Sequence, residues 1–73
     1  MNDSFDYRSY GRTELAQLYN PHLTPQAAWC VLQRWIEFNV PLKNELQKLG
    51  LTNNQRRYTP AMVRMITQHL GEP

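Results

Sequence analysis

The stretch Thr24-Pro25-Gln26-Ala27-Ala28-Trp29 decides the fold of this chain. Threonine caps a helix by accepting a backbone N–H bond through its hydroxyl, and proline suits the first helical position because its missing N–H costs nothing there. Leu23 stands just before the cap and can pack against Ala28 as a hydrophobic staple. The stretch therefore predicts a helix that begins after Thr24 and, from the spacing of its apolar residues, continues to Phe38.

This long helix is amphipathic, with apolar residues on one face and polar residues on the other. The predicted buried face consists of Ala28, Trp29, Leu32, Trp35 and Ile36, with Val31 at its edge. The predicted exposed face consists of Gln26, Ala27, Cys30, Gln33, Arg34 and Glu37. If Trp35 is buried, its replacement by alanine is expected to cost about 3 to 5 kcal/mol of folding stability.

A shorter helix precedes the long one. It is predicted over Glu14 to Tyr19, with Gly11 as its cap and the Glu14 carboxylate bonded back to the backbone N–H of the cap. Three apolar residues are predicted to face inward at helical spacing: Leu15, Leu18 and Tyr19. Asn20-Pro21 ends this helix, because proline disfavours helical geometry in the residue before it. The order helix, turn, helix is typical of small DNA-reading domains.

A third helix is predicted to begin at Pro41. Gly50 can adopt the left-handed conformation that ends it, so that Leu51 folds back on Leu46. Its predicted inner residues are Leu42, Leu46 and Leu49.

A fourth helix is predicted from Thr59 to Leu70, with Tyr58 packed on Val63 as a staple. Its remaining buried residues are predicted to be Met62, Ile66 and Leu70. In the segment before it, Asn53-Asn54 favours a tight turn, and the flanking residues can pair as a small hairpin. That segment is a candidate wing.

The predicted fold class is mainly α: a four-helix, winged helix-turn-helix-like single domain over residues 10–73, with a short β-hairpin as its candidate wing. Residues 1–9 are predicted to form a flexible or strand-like N-terminal arm. A chain of 73 residues allows one domain with a thin core. The single Cys30 excludes an internal disulfide, and neither a bilayer-spanning apolar run nor an export signal is recognised. We therefore expect a cytoplasmic protein.

Positive charge is concentrated in the second half of the chain. The formal net charge is +2, of which residues 1–40 carry −1 and residues 41–73 carry +3. Arg56 and Arg57 are adjacent at the candidate wing and have no nearby acid in the sequence, which favours a role as phosphate clamps. On the long helix, a glutamine amide can form hydrogen bonds with the edge of adenine, and an arginine guanidinium can form them with guanine or a phosphate. The candidate DNA-binding residues are Thr24, Gln26, Cys30, Gln33, Arg34, Arg56 and Arg57.

The leading functional hypothesis is a non-catalytic protein that binds double-stranded DNA, such as a small transcriptional or mobile-element accessory factor. Its long helix would enter the major groove. The alternative is a helical adaptor that docks another protein through Cys30, Gln33 and Phe38, and a homodimer is a further option. We expect no enzyme activity, cofactor, metal or small-molecule substrate, because the histidines are far apart in sequence and no carboxylate pair or phosphate loop occurs.

Five blocks of this sequence resemble short Bacteroidales proteins grouped as a domain of unknown function. The blocks are Tyr10-Gly-Arg-Thr-Glu-Leu-Ala16, Thr24-Pro-Gln-Ala-Ala-Trp29, Arg34-Trp-Ile36, Arg57-Tyr-Thr-Pro60 and Leu70-Gly-Glu-Pro73. The resemblance extends from about Tyr7 to Pro73 and implies a small helical domain. It also implies basic residues around positions 30, 31 and 33, where this chain has cysteine, valine and glutamine.

A looser likeness concerns the fold alone. Glu14-Leu-Ala-Gln-Leu-Tyr19 and Arg57-Tyr-Thr-Pro-Ala-Met-Val63 are similar to segments of the winged-helix reading heads of excisionase-type and mercury-regulator-type proteins. This likeness implies a helix-turn-helix architecture, and function follows from it only by analogy. Twelve positions separate Ala16 from Ala28, so we expect a turn about two residues longer than in a compact helix-turn-helix.

Overall fold

The computed structural model describes residues 5–52 and 55–73. Along the chain these residues form β1 (Tyr10–Gly11), α1 (Arg12–Tyr19), α2 (Pro25–Phe38), α3 (Val40–Lys48), β2 (Arg57–Tyr58) and α4 (Pro60–Leu70). The two strands pair antiparallel, and the helices pack into one domain. The mainly α, four-helix fold class is therefore confirmed. The predicted turn at Asn53-Asn54 lies outside the described residues.

The predicted caps of α1, α2 and α4 are present, although α1 begins at Arg12 and α3 at Val40, two residues and one residue earlier than predicted. The Thr24 hydroxyl accepts a bond from the Ala27 N–H at 3.2 Å, which caps α2. Thr59 caps α4 in the same way, with its hydroxyl 3.3 Å from the Met62 nitrogen. At α1 the backbone N–H of Gly11 donates to the Glu14 carboxylate at 3.1 Å. These contacts satisfy backbone donors that a helix start leaves unpaired.

The end of α3 is a left-handed glycine turn. Gly50 has φ +99°, its N–H donates to the Gln47 carbonyl, and the Leu51 N–H donates to the Leu46 carbonyl, both at 3.0 Å. This pair of bonds is the Schellman arrangement, in which the glycine lets the chain reverse at low cost. The predicted end of the third helix is therefore confirmed.

Replacing Gly50 by alanine should lower the free energy of unfolding by about 1 to 2 kcal/mol, because a Cβ disfavours the left-handed conformation. No atom lies within 4 Å of the position of that Cβ, so the loss reports backbone conformation alone. Gly50→Asn should lower the free energy of unfolding by less than Gly50→Ala does, since asparagine adopts the left-handed conformation more readily. Urea denaturation measures both variants, and equal stability of Gly50→Ala and the parent would contradict the turn.

The two-stranded sheet differs from the predicted hairpin in its pairing partner. Tyr10 lies opposite Tyr58, and Gly11 lies opposite Arg57, so the second strand pairs with the residues just before α1. The physical reason is burial. This register places two aromatic rings in the core, with Tyr10 4% and Tyr58 2% exposed, and aromatic pairs across strands stabilise a sheet.

The core lies where the four helices and the sheet meet. Its buried apolar members are Tyr10, Leu15, Ala16, Ala28, Leu32, Ile36, Leu42, Leu46, Tyr58, Met62, Val63 and Ile66. Ala16 and Ala28 are fully buried, and α1 packs mainly on α2, as the helix-turn-helix order requires. None of the four helices is long and apolar enough to cross a membrane.

Three residues predicted to be buried are instead substantially exposed: Leu18 (44%), Trp35 (37%) and Leu49 (41%). Trp35 lies at the edge of the inner face of α2, where its ring packs edge-on against Tyr19 at 6.0 Å between centroids. The centre of that face, at spacing i, i+4, i+8, is filled by Ala28, Leu32 and Ile36. Leu49 caps α3 beyond its last helical turn, and Leu18 borders a shallow surface groove.

Candidate nucleic-acid interface

The exposed face of α2 is polar along its first half. Gln26, Cys30 and Gln33 follow one another at spacing i, i+4, i+7 and therefore form one stripe. Gln26 and Cys30 are exposed, with the Gln26 amide nitrogen 3.9 Å from the Cys30 sulfur, and Gln33 is half-buried. Arg34 is exposed one turn beyond Cys30. This stripe presents amide groups and little charge.

Thr24 has a role in the fold that limits its role at the surface. Its side chain is exposed, but its hydroxyl already accepts the Ala27 N–H. The hydroxyl keeps its own proton as a donor, so contact with a backbone phosphate remains compatible with capping.

Sequence reasoning missed Arg12, the first residue of α1. Its guanidinium lies over the ring of Trp29, 4.2 Å from the centroid, which is a cation–π contact. Trp29 is half-buried, and Arg12 stacks on it at the edge of α2. Tyr58 lies near both Arg12 and Trp29. Burial raises the pKa of its phenol, and the Trp29 side chain and the Arg12 charge act against that rise.

The strand pairing brings the backbones of three arginines together. The backbone N–H of Arg12 donates to the carbonyl of Arg56 at 2.9 Å, and Arg57 is the partner of Gly11 in the sheet. We call Arg12, Arg56 and Arg57 the basic cluster. Arg56 and Arg57 are exposed, and the Arg57 guanidinium contacts Ser9, with Nε 3.3 Å from the Ser9 hydroxyl oxygen. Arg57 is therefore held against the N-terminal arm rather than at a hairpin tip.

The acid nearest to the basic cluster is already paired. The Glu14 carboxylate accepts from Arg8 at 3.0 Å and from the Gly11 N–H at 3.1 Å. The Arg8 contact above all, with help from Gly11 and the Arg57 charge, lowers the pKa of Glu14. Within residues 5–52 and 55–73, no ion pair involves a member of the basic cluster. The cluster thus has positive charge available for an anionic partner.

The residues predicted for the adaptor alternative lie on a wide surface. Gln33 lies at the edge of α2 next to Trp29, whereas Phe38 lies at the opposite edge of the exposed side, next to Trp35. Phe38 is 80% exposed, and Val40 beyond it is 58% exposed. The apolar part of this surface is therefore separate from the polar stripe.

No group of three or more potential metal ligands occurs in the part of the chain that the structure describes. The groove beside Leu18 is open and is lined by Thr13, Glu14, Gln17, Leu18, Pro21 and Pro25. Its one ionisable side chain, Glu14, is the carboxylate engaged by Arg8 and Gly11.

Comparison with known proteins gives one result. The profile of the family described as Domain of unknown function (DUF4248) matches residues 6–73. No curated protein and no solved structure matches the chain significantly. The matched range contains every helix and strand of the described residues, and it agrees with the resemblance that the five sequence blocks indicate.

Proposed function

This chain belongs to the family described as Domain of unknown function (DUF4248), and we propose that it is a non-catalytic, cytoplasmic DNA-binding domain of the winged helix-turn-helix type. In this proposal α2 enters the major groove of double-stranded DNA, and the basic cluster contacts the flanking phosphates. The sheet built from β1 and β2 takes the place of the wing.

One observation supports the proposal above the others: the strand pairing joins the backbones of Arg12, Arg56 and Arg57, and the Arg12 side chain reaches α2 through Trp29. Residues 12 and 56 are far apart in sequence, yet their backbones are joined by a 2.9 Å hydrogen bond. Gathering like charges costs energy unless a partner of opposite charge compensates it. A phosphate backbone supplies such charge at regular spacing.

The dimensions of α2 suit the major groove. Its 14 residues correspond to about 21 Å at 1.5 Å per residue, and a helix fits a groove about 12 Å wide. Reading helices contact bases chiefly through their N-terminal half, which here carries Gln26 and Cys30. The amides of Gln26 and Gln33 suit adenine, and the guanidinium of Arg34 suits guanine or phosphate.

The test is a fluorescence titration of a labelled 20-base-pair random duplex at 50 mM and 200 mM KCl. Three phosphate contacts give a slope of roughly −2.7 in log affinity against log salt, so affinity should fall about 40-fold between the two concentrations. Titration with a duplex rich in A·T steps tests the glutamine contacts. An absence of binding at 50 mM KCl, or binding that is indifferent to salt, would contradict the proposal and favour the adaptor alternative.

A further inference from the structure

The indole ring of Trp29 on α2 carries the guanidinium of Arg12, the first residue of α1. The guanidinium carbon lies 4.2 Å from the ring centroid, which is within the range of a cation–π contact. The ring itself is half-buried and packs against the core, so the fold fixes its position. The Arg12 guanidinium is therefore held at one place beside α2.

The stacked guanidinium of Arg12 keeps its hydrogen-bonding edge free. Arginine stacks on an aromatic ring through its flat face, and its N–H donors point outward in the plane of the group. The guanidinium of Arg8 also stacks on a ring, that of Tyr10, but it donates to the Glu14 carboxylate and the Ser9 carbonyl. Within residues 5–52 and 55–73, the Arg12 side chain makes no such hydrogen bond or ion pair. Its donors are available for an anion.

The position of Arg12 does not favour the stability of α1. The start of a helix carries the positive end of the helix dipole, so a cation is favourable in the last turn and unfavourable in the first. The Glu14 carboxylate, two residues later, is engaged by Arg8 and by the Gly11 N–H. An anion outside the chain therefore accounts for an arginine at this position better than the stability of α1 does.

We propose that Trp29 is a positioning residue for the DNA contact: its ring holds the Arg12 guanidinium against a backbone phosphate while α2 lies in the major groove. This inference rests on the proposed function. In a helix-turn-helix domain the first helix crosses the DNA backbone, and the second enters the groove. Arg12 begins the first of these helices and Trp29 belongs to the second, so their contact links the phosphate to the placement of α2. Phosphate contacts of this kind set the register of a protein on the duplex.

A preordered arginine binds phosphate more tightly than a mobile one. A mobile arginine loses rotamer freedom when it binds, whereas a side chain already stacked on a ring loses less. Trp29→Leu removes the ring and keeps an apolar side chain against the core, so it should weaken duplex binding about three- to tenfold. The loss should be equal for a random and an A·T-rich duplex, because a phosphate carries no sequence information. Trp29→Phe keeps an aromatic face and should restore most of the affinity.

A double-mutant cycle with Arg12 separates positioning from a purely structural role. Anisotropy titrations of the labelled 20-base-pair random duplex at 50 mM KCl give the affinities of the parent, Arg12→Ala, Trp29→Leu and the double variant. If Trp29 acts through Arg12, then Trp29→Leu should weaken binding by less than about twofold once Arg12 is alanine. A loss caused by misfolding, or by direct contact between Trp29 and DNA, would persist in the Arg12→Ala background and would overturn the proposal.

Tyr7→Leu is the matched control, because it removes another ring that carries an arginine. The guanidinium of Arg64, on α4, lies 5.0 Å from the centroid of the Tyr7 ring, and Arg64 is not a member of the basic cluster. This variant should bind the duplex like the parent. A loss as large as that of Trp29→Leu would mean that any weakened packing lowers affinity, and Trp29 would then have no positioning role.

NMR of the free protein measures the stacking without DNA. The ring current of Trp29 should shift the side-chain Hδ protons of Arg12 upfield of those of Arg56, and Trp29→Leu should remove the shift. An unshifted Arg12 in the parent would overturn the positioning role. A shifted Arg12 in a parent that does not bind the duplex would overturn the proposed function, and the positioning role with it. Equal affinity of the parent and Trp29→Leu would overturn the positioning role alone.

Discussion

Simultaneous replacement of Arg12, Arg56 and Arg57 by alanine is expected to lower duplex affinity by about two to three orders of magnitude. Each guanidinium–phosphate hydrogen bond contributes roughly 1.5–3 kcal/mol, and part of that is recovered through rearrangement of the remaining contacts. The salt dependence should become nearly flat, because each lost phosphate contact removes about 0.9 from its slope. Anisotropy titrations at 50 mM and 200 mM KCl measure both effects.

A charge-matched control separates the basic cluster from net charge. Lys43→Ala, Lys48→Ala and Arg64→Ala together remove three positive charges from α3 and α4, so this variant should change affinity by no more than about threefold at 200 mM salt. Thermal melts should show that both variants fold. If the triple variant and the control lose affinity equally, DNA is attracted by overall charge alone, and the basic cluster has no special part.

The starts and ends of the helices could be predicted from sequence because they depend on neighbouring residues. Thr24 and Thr59 each cap a helix by accepting the backbone N–H of the residue three positions later. Gly50 reverses the chain by adopting a positive φ. Such interactions do not depend on how the rest of the domain packs. The predicted fold class was confirmed on this local basis.

The basic cluster could not be predicted because it depends on pairing between distant segments. Arg56 and Arg57 were assigned to a hairpin with their neighbours, and Arg12 was not assigned to the site. The register that joins them is set by Tyr10 and Tyr58, whose rings both enter the core. The one signal for this register was the pair of tyrosines beside the two segments, and aromatic residues alone do not specify a partner strand.

The position of Trp35 was predicted wrongly for a different reason. Helical periodicity gives the direction in which a side chain points, but it does not give the width of the surface that covers it. In this thin core the covered width accommodates Leu32 and Ile36, and Trp35 lies at its edge, against the ring of Tyr19, with 37% of its surface exposed.

Leu32→Ala is expected to cost about 3 to 5 kcal/mol of unfolding free energy, because Leu32 is fully buried at the centre of α2 and alanine leaves a cavity. The free energy of unfolding of a 73-residue domain is about 4 to 11 kcal/mol in total, so this variant loses a large fraction of it and should melt well below the parent. Trp35→Ala should cost only about 1 to 2 kcal/mol, since the ring already contacts water and its removal leaves no enclosed cavity.

Urea denaturation followed by circular dichroism compares these two variants with the parent. The midpoint for Leu32→Ala should fall much further than that for Trp35→Ala, with similar slopes for all three proteins. The reverse order would mean that α2 is rotated about its axis, with Trp35 inside. That rotation would also shift Gln26 and Cys30 relative to Arg12 on α1, so this measurement bears on the geometry of the proposed interface as well as on the fold.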